Sequence, residues 1–144
     1  DPNSYSSNTN ATGTTLTTPA NVTAQTAASG NGQITVSWTN PTACYDEIMV
    51  VATDNASVTS SPSGNGSLYS ASSTYAGGTS GNNLSSNEYD VYQSTGTSVT
   101  VTGLTNGTLY NFKIWTRKGT VWSSGVTTSG TPSASFAGDF QTLT

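Results

Sequence analysis

Between Thr97 and Thr116 the chain alternates, turns and alternates again: TSVTVTGLTNGTLYNFKIWT. Thr97, Val99 and Val101 fall on one face of an extended segment, with Ser98, Thr100 and Thr102 on the other. Side chains of a strand point to opposite faces in turn, so this run buries one face and wets the other. Gly103-Leu104-Thr105-Asn106-Gly107 supplies turn chemistry, because Asn and Gly tolerate positive φ. A second strand then places Tyr110, Phe112, Ile114 and Thr116 on its inner face. The remaining strands read as a sandwich built around this pair.

The chain before this pair offers three further strands. Thr18-Pro19 opens the domain, and Val22 and Ala24 mark a short first strand, at an edge because proline cannot donate to a ladder. Ser29-Gly30-Asn31-Gly32 turns the chain. Gln33 to Trp38 is the second strand, with Ile34, Val36 and Trp38 inward, and Asn40-Pro41 ends it. Tyr45 to Thr53 reads differently. Ile48, Val50 and Ala52 lie on one face, Met49 and Val51 on the other. A strand apolar on both faces is covered on both. Trp115 likewise points away from the core beside Lys113 and Arg117. Met49, Val51 and Trp115 would then form an apolar patch outside one sheet, and something should cover it.

Residues 54–90 are dense in Ser, Gly and Asn, and a loop this long in a compact domain is uncommon. Leu68, Tyr69, Tyr75 and Leu84 could anchor it over the patch. The competing reading is a binding loop whose Tyr69 and Tyr75 meet a ligand. Glu88 to Gln93 is a short strand at an edge. Arg117-Lys118-Gly119-Thr120 turns into a last strand, Val121 to Gly130, broken at Ser123-Ser124-Gly125. The expected division is an extended N-terminal tail over residues 1–18, a domain over 19–132 with its insert at 54–90, and a C-terminal tail over 133–144. The last carries Phe136 and Phe140, which suggest docking.

Of 144 residues only 32% are hydrophobic and 7% charged, where ~25% charged is usual. One sandwich core is within reach of this composition and a second is not. Three Lys and Arg against seven Asp and Glu leave a net charge of −4. That argues against nucleic acid, whose phosphates need a basic footprint, and against an anionic membrane surface. No apolar run approaches the ~20 residues of a membrane-spanning helix. The chain starts at Asp1, as a mature secreted protein would, and few Lys with many Ser and Thr favour an extracellular or cell-surface site. Cys44 is the single cysteine; it cannot form an internal disulfide and reads as a small buried hydrophobe.

The residues for catalysis are missing. Histidine is absent, so histidine-based triads and histidine metal sites are excluded, and one cysteine cannot build a thiolate zinc site. Asp46 and Glu47 are adjacent on a strand and point to opposite faces. Glu88 and Asp90 share a face at an edge, where solvated charges guard against strand pairing. Calcium needs six to eight oxygens, and no loop of alternating Asp appears. No cofactor is expected. Trp115, Trp122, Tyr69, Tyr75, Tyr89 and Tyr92 are the residues from which a sugar-stacking platform could be built.

About seven short strands with a turn every 8–12 residues point to an all-β, immunoglobulin-like two-sheet sandwich. The sequence resembles a fibronectin type III domain. The likeness rests on Pro19 with Val22, on Ile34-Thr35-Val36-Ser37-Trp38, and on Leu104 to Tyr110 before the penultimate strand. Gly119 with Ser123-Ser124 and the closing Thr131-Pro132 match the family's last hairpin. The resemblance implies that Tyr110 packs inward and hydrogen-bonds back across its corner. The long insert after the third strand departs from the family and resembles a variant of secreted Bacteroidota proteins. Arg-Gly-Asp is absent, so the integrin-binding function does not carry over.

Two functions follow as expectations. The first is a non-catalytic structural subunit that polymerises into a filament or surface layer. Leu16, Met49, Val51, Trp115, Phe136 and Phe140 would be its contacts with other copies, and residues 10–18 the donated strand. The alternative is an adhesion or carbohydrate-binding accessory module that takes glycans or cell-surface proteins through the insert.

Overall fold

The computed structural model describes residues 17–78 and 86–134. Leu16, Leu84, Phe136 and Phe140 lie outside the described residues. Eight strands are seen in the described chain: β1 (Thr23–Gly30), β2 (Gln33–Thr39), β3 (Glu47–Thr53), β4 (Glu88–Ser94), β5 (Ser98–Val101), β6 (Tyr110–Lys118), β7 (Val121–Trp122) and β8 (Val126–Gly130). They form a three-stranded sheet, β1-β2-β5, and a five-stranded sheet, β4-β3-β6-β7, in which β8 also pairs with β6. This is an all-β, immunoglobulin-like sandwich with a long insert between β3 and β4.

The inner faces meet where alternation placed them. Ile34, Val36 and Trp38 of β2 and Val99 and Val101 of β5 pack on Ile48, Val50 and Ala52 of β3 and Tyr110, Phe112 and Ile114 of β6. Burying each such side chain contributes about 1.5–3 kcal/mol. Trp38 also meets Tyr92 edge to face, with ring centroids 5.3 Å apart. Thr97 falls outside the alternation expected for it: it is exposed ahead of β5, and its carbonyl accepts from Trp38 N–H at 3.0 Å.

β1 is longer than the short strand expected, and Ala24 is exposed rather than inward. The pairing of β1 with β2 slips between Thr23 and Thr26, and Ala24 takes φ +53° inside that bulge. Val22 and Ala27 fill the core instead. The break in the last strand is also real. Ser123 Oγ accepts from Thr116 N–H at 2.9 Å, and Ser123 N–H donates to the Thr116 carbonyl at 2.8 Å. The side chain thus takes over a rung of the ladder, and Asn21 ties the bulge down by accepting from Gly125 N–H at 2.9 Å.

The two poles of the sandwich differ. One gathers Thr39, Glu47 and the Arg117–Gly119 turn, and the chain enters there. The other gathers the Gly30–Gln33 hairpin, Leu104–Gly107 and Tyr110. Here Gly107 N–H donates to the Pro132 carbonyl and Ser133 N–H to the Gly30 carbonyl, so the chain leaves at this pole. Tyr110 is buried, and its hydroxyl accepts from Thr105 N–H at 3.0 Å, closing the corner between β5 and β6. Tyr110→Phe should therefore cost about 1 kcal/mol or more in denaturant unfolding, from one lost hydrogen bond in a part-buried setting. A change under a few tenths would mean that the ring alone holds the corner.

Candidate functional site

The outer face of the five-stranded sheet is where the sequence placed its surplus of apolar and charged side chains. Met49 of β3 lies directly opposite Trp115 of β6, Val51 opposite Lys113, and Glu47 opposite Arg117. On the other side of β3, Val51 faces Asp90, Thr53 faces Glu88 and Met49 faces Gln93. The face is therefore a grid, with an apolar centre and ionisable groups at both ends.

The chain's own insert covers that grid. Tyr69 packs on Met49, Val51 and Trp115, with Val58 and Trp122 at the margin. Met49, Val51 and Trp115 are each no more than 1% exposed, so they are not available as contacts with another copy. The expectation of a partner surface at these three residues is corrected: the demand for cover is met within the chain. Leu68 does not share in the cover, being 54% exposed.

The insert holds its position through backbone turns and polar contacts. Tyr69 Oη accepts from Ser63 N–H at 2.9 Å, and Tyr69 N–H closes a turn on the Gly66 carbonyl. Gly66 has φ +85°, and a Cβ there would lie 3.0–3.3 Å from Glu47, Arg117 and Gln93 side chains. Its missing side chain lets the loop approach the ion pair beneath. Gln93 Nε2 donates to both Gly66 O and Glu47 Oε2, and Trp122 Nε1 donates to Gly64 O at 2.9 Å. Arg117 bonds Glu47 from Nε at 3.0 Å and also from Nη2, with its guanidinium over the Trp122 ring. Asp46, on the surface, pairs with Arg117 Nη1 at 3.7 Å, and the Gly119 N–H it accepts holds its carboxyl below the usual range.

The second half of the insert wraps the sandwich edge. Ser72 N–H donates to the Asp90 carbonyl, capping β4. The chain then runs beside β5: Thr102 N–H donates to the Ser73 carbonyl and Tyr75 N–H to the Thr102 carbonyl. One loop thus bonds both to edge strand β4, at Asp90, and to Thr102 just beyond edge strand β5. Tyr75 ends this wrap half-buried, edge to face with both Tyr89 and Tyr110 at 5.1 Å. Its hydroxyl accepts from Asp54 N–H and donates to the Asn87 carbonyl, and burial raises its pKa. Tyr69 and Tyr75 are therefore internal struts rather than ligand contacts. The aromatic residues do not form one platform either: Trp115 and Tyr69 are buried outside the five-stranded sheet, whereas Tyr92 and Tyr75 pack against the inner core.

The two acids of β4 contradict their expected solvated role. Glu88 and Asp90 are both fully buried. Glu88 is received by the insert: Thr59 N–H and Oγ1 bond its Oε2 at 2.8 Å each, and Ser60 N–H bonds Oε1 at 3.1 Å. Asp90 has less. Tyr92 N–H donates to its Oδ1 at 3.2 Å, and Oδ2 has no partner among the described residues. Burial, with the Glu47 charge nearby, pushes its pKa up to about 8 against the Tyr92 bond that lowers it. This shift favours the protonated form of Asp90 at neutral pH. No group of three or more His, Cys, Asp or Glu is placed to hold a metal ion among the described residues. No helix there is long and apolar enough to cross a membrane.

Cys44 is exposed, not buried as the sequence suggested, because it lies in the irregular link from β2 to β3 rather than on a strand. It borders a cavity of about 400 Å³ at the chain-entry pole, shared with Thr18, Pro19, Ala20, Ala43 and Lys118. No sequence signal pointed to this cavity, since its walls come from three separate segments.

Comparison with known proteins places the fold and goes no further. A redesigned β-sandwich protein is similar over 79% of this chain and 90% of its own, with a TM-score of 0.52 and 20% identity. Titin domains A168–A170 match over 82% of this chain with a TM-score of 0.51 and 14% identity. Titin kinase with its flanking domains matches over 81%, with a TM-score of 0.50 and 13% identity. The chain spans only 33% and 18% of those two titin structures. No family model and no curated protein matches the sequence. The likeness is to immunoglobulin-like β-sandwiches as a fold.

Two outcomes test the cover. Tyr69→Ala should cost about 3–5 kcal/mol, as large aromatic truncations do, and shift tryptophan emission to the red as Trp115 meets water. An unshifted spectrum with full stability would show that the insert does not depend on this anchor. Asp90 sets a pH dependence of known sign. With a folded pKa near 8 against 3.8, the native state keeps a proton that the unfolded chain gives up. Its contribution is complete below pH 3.8, falls as pH rises to about 8, and is level above. Histidine is absent, so little else titrates in that window. The melting temperature should fall from pH 5 to pH 8 in the native chain and stay flat in Asp90→Asn. Equal slopes would mean that Asp90 is ionised in the folded state.

Proposed function

We propose that this chain is a fibronectin type III-type domain, of the long-insert variant resembling those of secreted Bacteroidota proteins, acting as a non-catalytic extracellular structural subunit. It polymerises into a filament or surface layer through its flanking segments. The corner at Leu104 and Tyr110 and the three-plus-five strand arrangement support the domain type. The surface supports the setting, because hydroxyls and amides rather than ions keep it wet.

One observation carries the assembly reading: the body is polar in the geometric sense. The chain enters at one pole and leaves at the other, and the insert closes the β4 and β5 side. On the opposite side β1 and β8 lie together without a ladder among the described residues, linked by Gln25 Nε2 donating to the Thr127 carbonyl at 3.3 Å. Contacts between unlike ends are heterologous, and they propagate into open filaments wherever their rotation does not close a ring. Assembly through the flanks, with the outer sheet face already covered, is the arrangement that fits.

Light scattering and negative-stain microscopy on the full chain and on residues 19–134 test this. The full chain should give polymers and the trimmed one monomers with an unchanged melting temperature. Monomers from both would overturn the reading.

A further inference from the structure

We propose that the cavity at the entry pole seats the C-terminal segment of a second copy, with Phe136 and Phe140 as the inserted side chains. The proposal rests on the self-assembly reading and names its contact. The cavity is about 400 Å³, within the ~300–1,000 Å³ range of small-ligand clefts, and its walls include Pro19, Ala20, Ala43 and Cys44. These are small, largely apolar groups that leave room for an aromatic ring. The charged residue in its wall is Lys118, half-exposed and 3.4 Å from Asp46.

The segment that fits is chosen by chemistry and by reach. Residues 135–144 hold Phe136, Phe140 and Leu143, with one charge, Asp139, opposite in sign to Lys118. The four-residue spacing puts Phe136 and Phe140 on one side of an extended chain. Residues 1–16 offer only Tyr5 and Leu16 as large apolar groups.

The backbone of the chain's own tail falls short of its own cavity. β6 runs from Tyr110, at the exit pole beside Gly130, to Lys118 in the cavity wall. Its nine residues span about 27 Å. The described chain ends at Ala134, just past the Ser133 bond to Gly30 at the exit pole. Phe140 is six residues further, which reaches at most about 21 Å even when fully extended. Phe136 reaches far less. The phenylalanines of one copy therefore meet the cavity of the next, head to tail.

Cys44, the only cysteine, reports the contact directly. In full-length Gly138→Cys, which keeps both phenylalanines, mild oxidation of the assembled protein should link Cys44 of one copy to position 138 of the next. Both thiols are consumed in turn, giving a ladder of trimers and longer species on a non-reducing gel. The double variant Cys44→Ser/Gly138→Cys can give dimers at most. Disulfides need Cα atoms within about 7 Å, so the ladder is a stringent readout. Phe136→Ala/Phe140→Ala should raise the concentration needed for assembly at least tenfold while leaving the melting temperature unchanged. Assembly without a ladder in G138C, and without loss in the double alanine variant, would overturn this contact and leave the self-assembly reading standing. An intrachain disulfide would also overturn it. Absence of any assembly by the unaltered chain would overturn both.

Discussion

The structure depends on β3 being buried on both faces. From Ile48 to Thr53 every residue is inaccessible to solvent. One face joins the core between the sheets and is satisfied by β2, β5 and β6. The other looks outward from a five-stranded sheet that has no second sheet beyond it. An immunoglobulin-like sandwich ordinarily wets that face. Here Met49, Val51 and Trp115 make exposure costly, by about 1.5–3 kcal/mol for each large side chain. The insert between β3 and β4 meets the demand with little apolar material, Tyr69 and Val58, and Trp122 of β7 packs at the margin.

A cover made of Ser, Gly and Asn has consequences for the charges beneath it. It brings backbone N–H groups as freely as side chains, and Glu88 is solvated by those of Thr59 and Ser60. Glu47 is instead paired with Arg117 and bonded by Gln93. Asp90 is left with one N–H donor among the described residues, and burial favours its protonated form. Three acids on one face thus reach three different settlements, ranked by how many donors the cover and the strands supply. With seven acids in the whole chain, three on a single face are a large share.

The parts legible in the sequence are those governed by local period. The packing of Val99 and Val101 in one core with Tyr110, Phe112 and Ile114, the double-faced β3, and the break at Ser123 all follow from alternation and turn chemistry. The need for cover over Met49 and Trp115 was legible too. What covers it was not, because Tyr69 and Leu68 are adjacent and equally apolar, yet one is buried and one exposed. That choice is made by φ at Gly64 and Gly66, which no hydrophobic pattern encodes. Glu88 and Asp90 were misread for a related reason. Charged residues on an edge strand are solvated unless a distant segment folds over them, and here a segment some thirty residues upstream does. Cys44 shows the converse, a small apolar residue left exposed on an irregular link whose Tyr45, not Cys44, packs on the core. The cavity it borders joins three segments far apart in sequence, and only the closed sandwich brings them together.

Closing one flank of a sandwich also determines how copies of it can meet. Edge strands add to other edges when their ladder groups are available, and such additions are limited mainly by what blocks them. The insert binds the carbonyl of Asp90 on β4 and both backbone groups of Thr102 beyond β5, so at these points the flank is occupied by the chain itself. The outer face is removed by Tyr69. The remaining sites are the two poles and the β1–β8 flank, and the two poles are chemically unlike. One carries an apolar cavity with Lys118 at its wall, while the other releases a segment holding two phenylalanines and an aspartate. A cover that evolved over a two-faced strand therefore does more than complete a core. It also leaves the two poles of the body chemically unlike, and unlike poles are what a head-to-tail contact of the proposed kind requires.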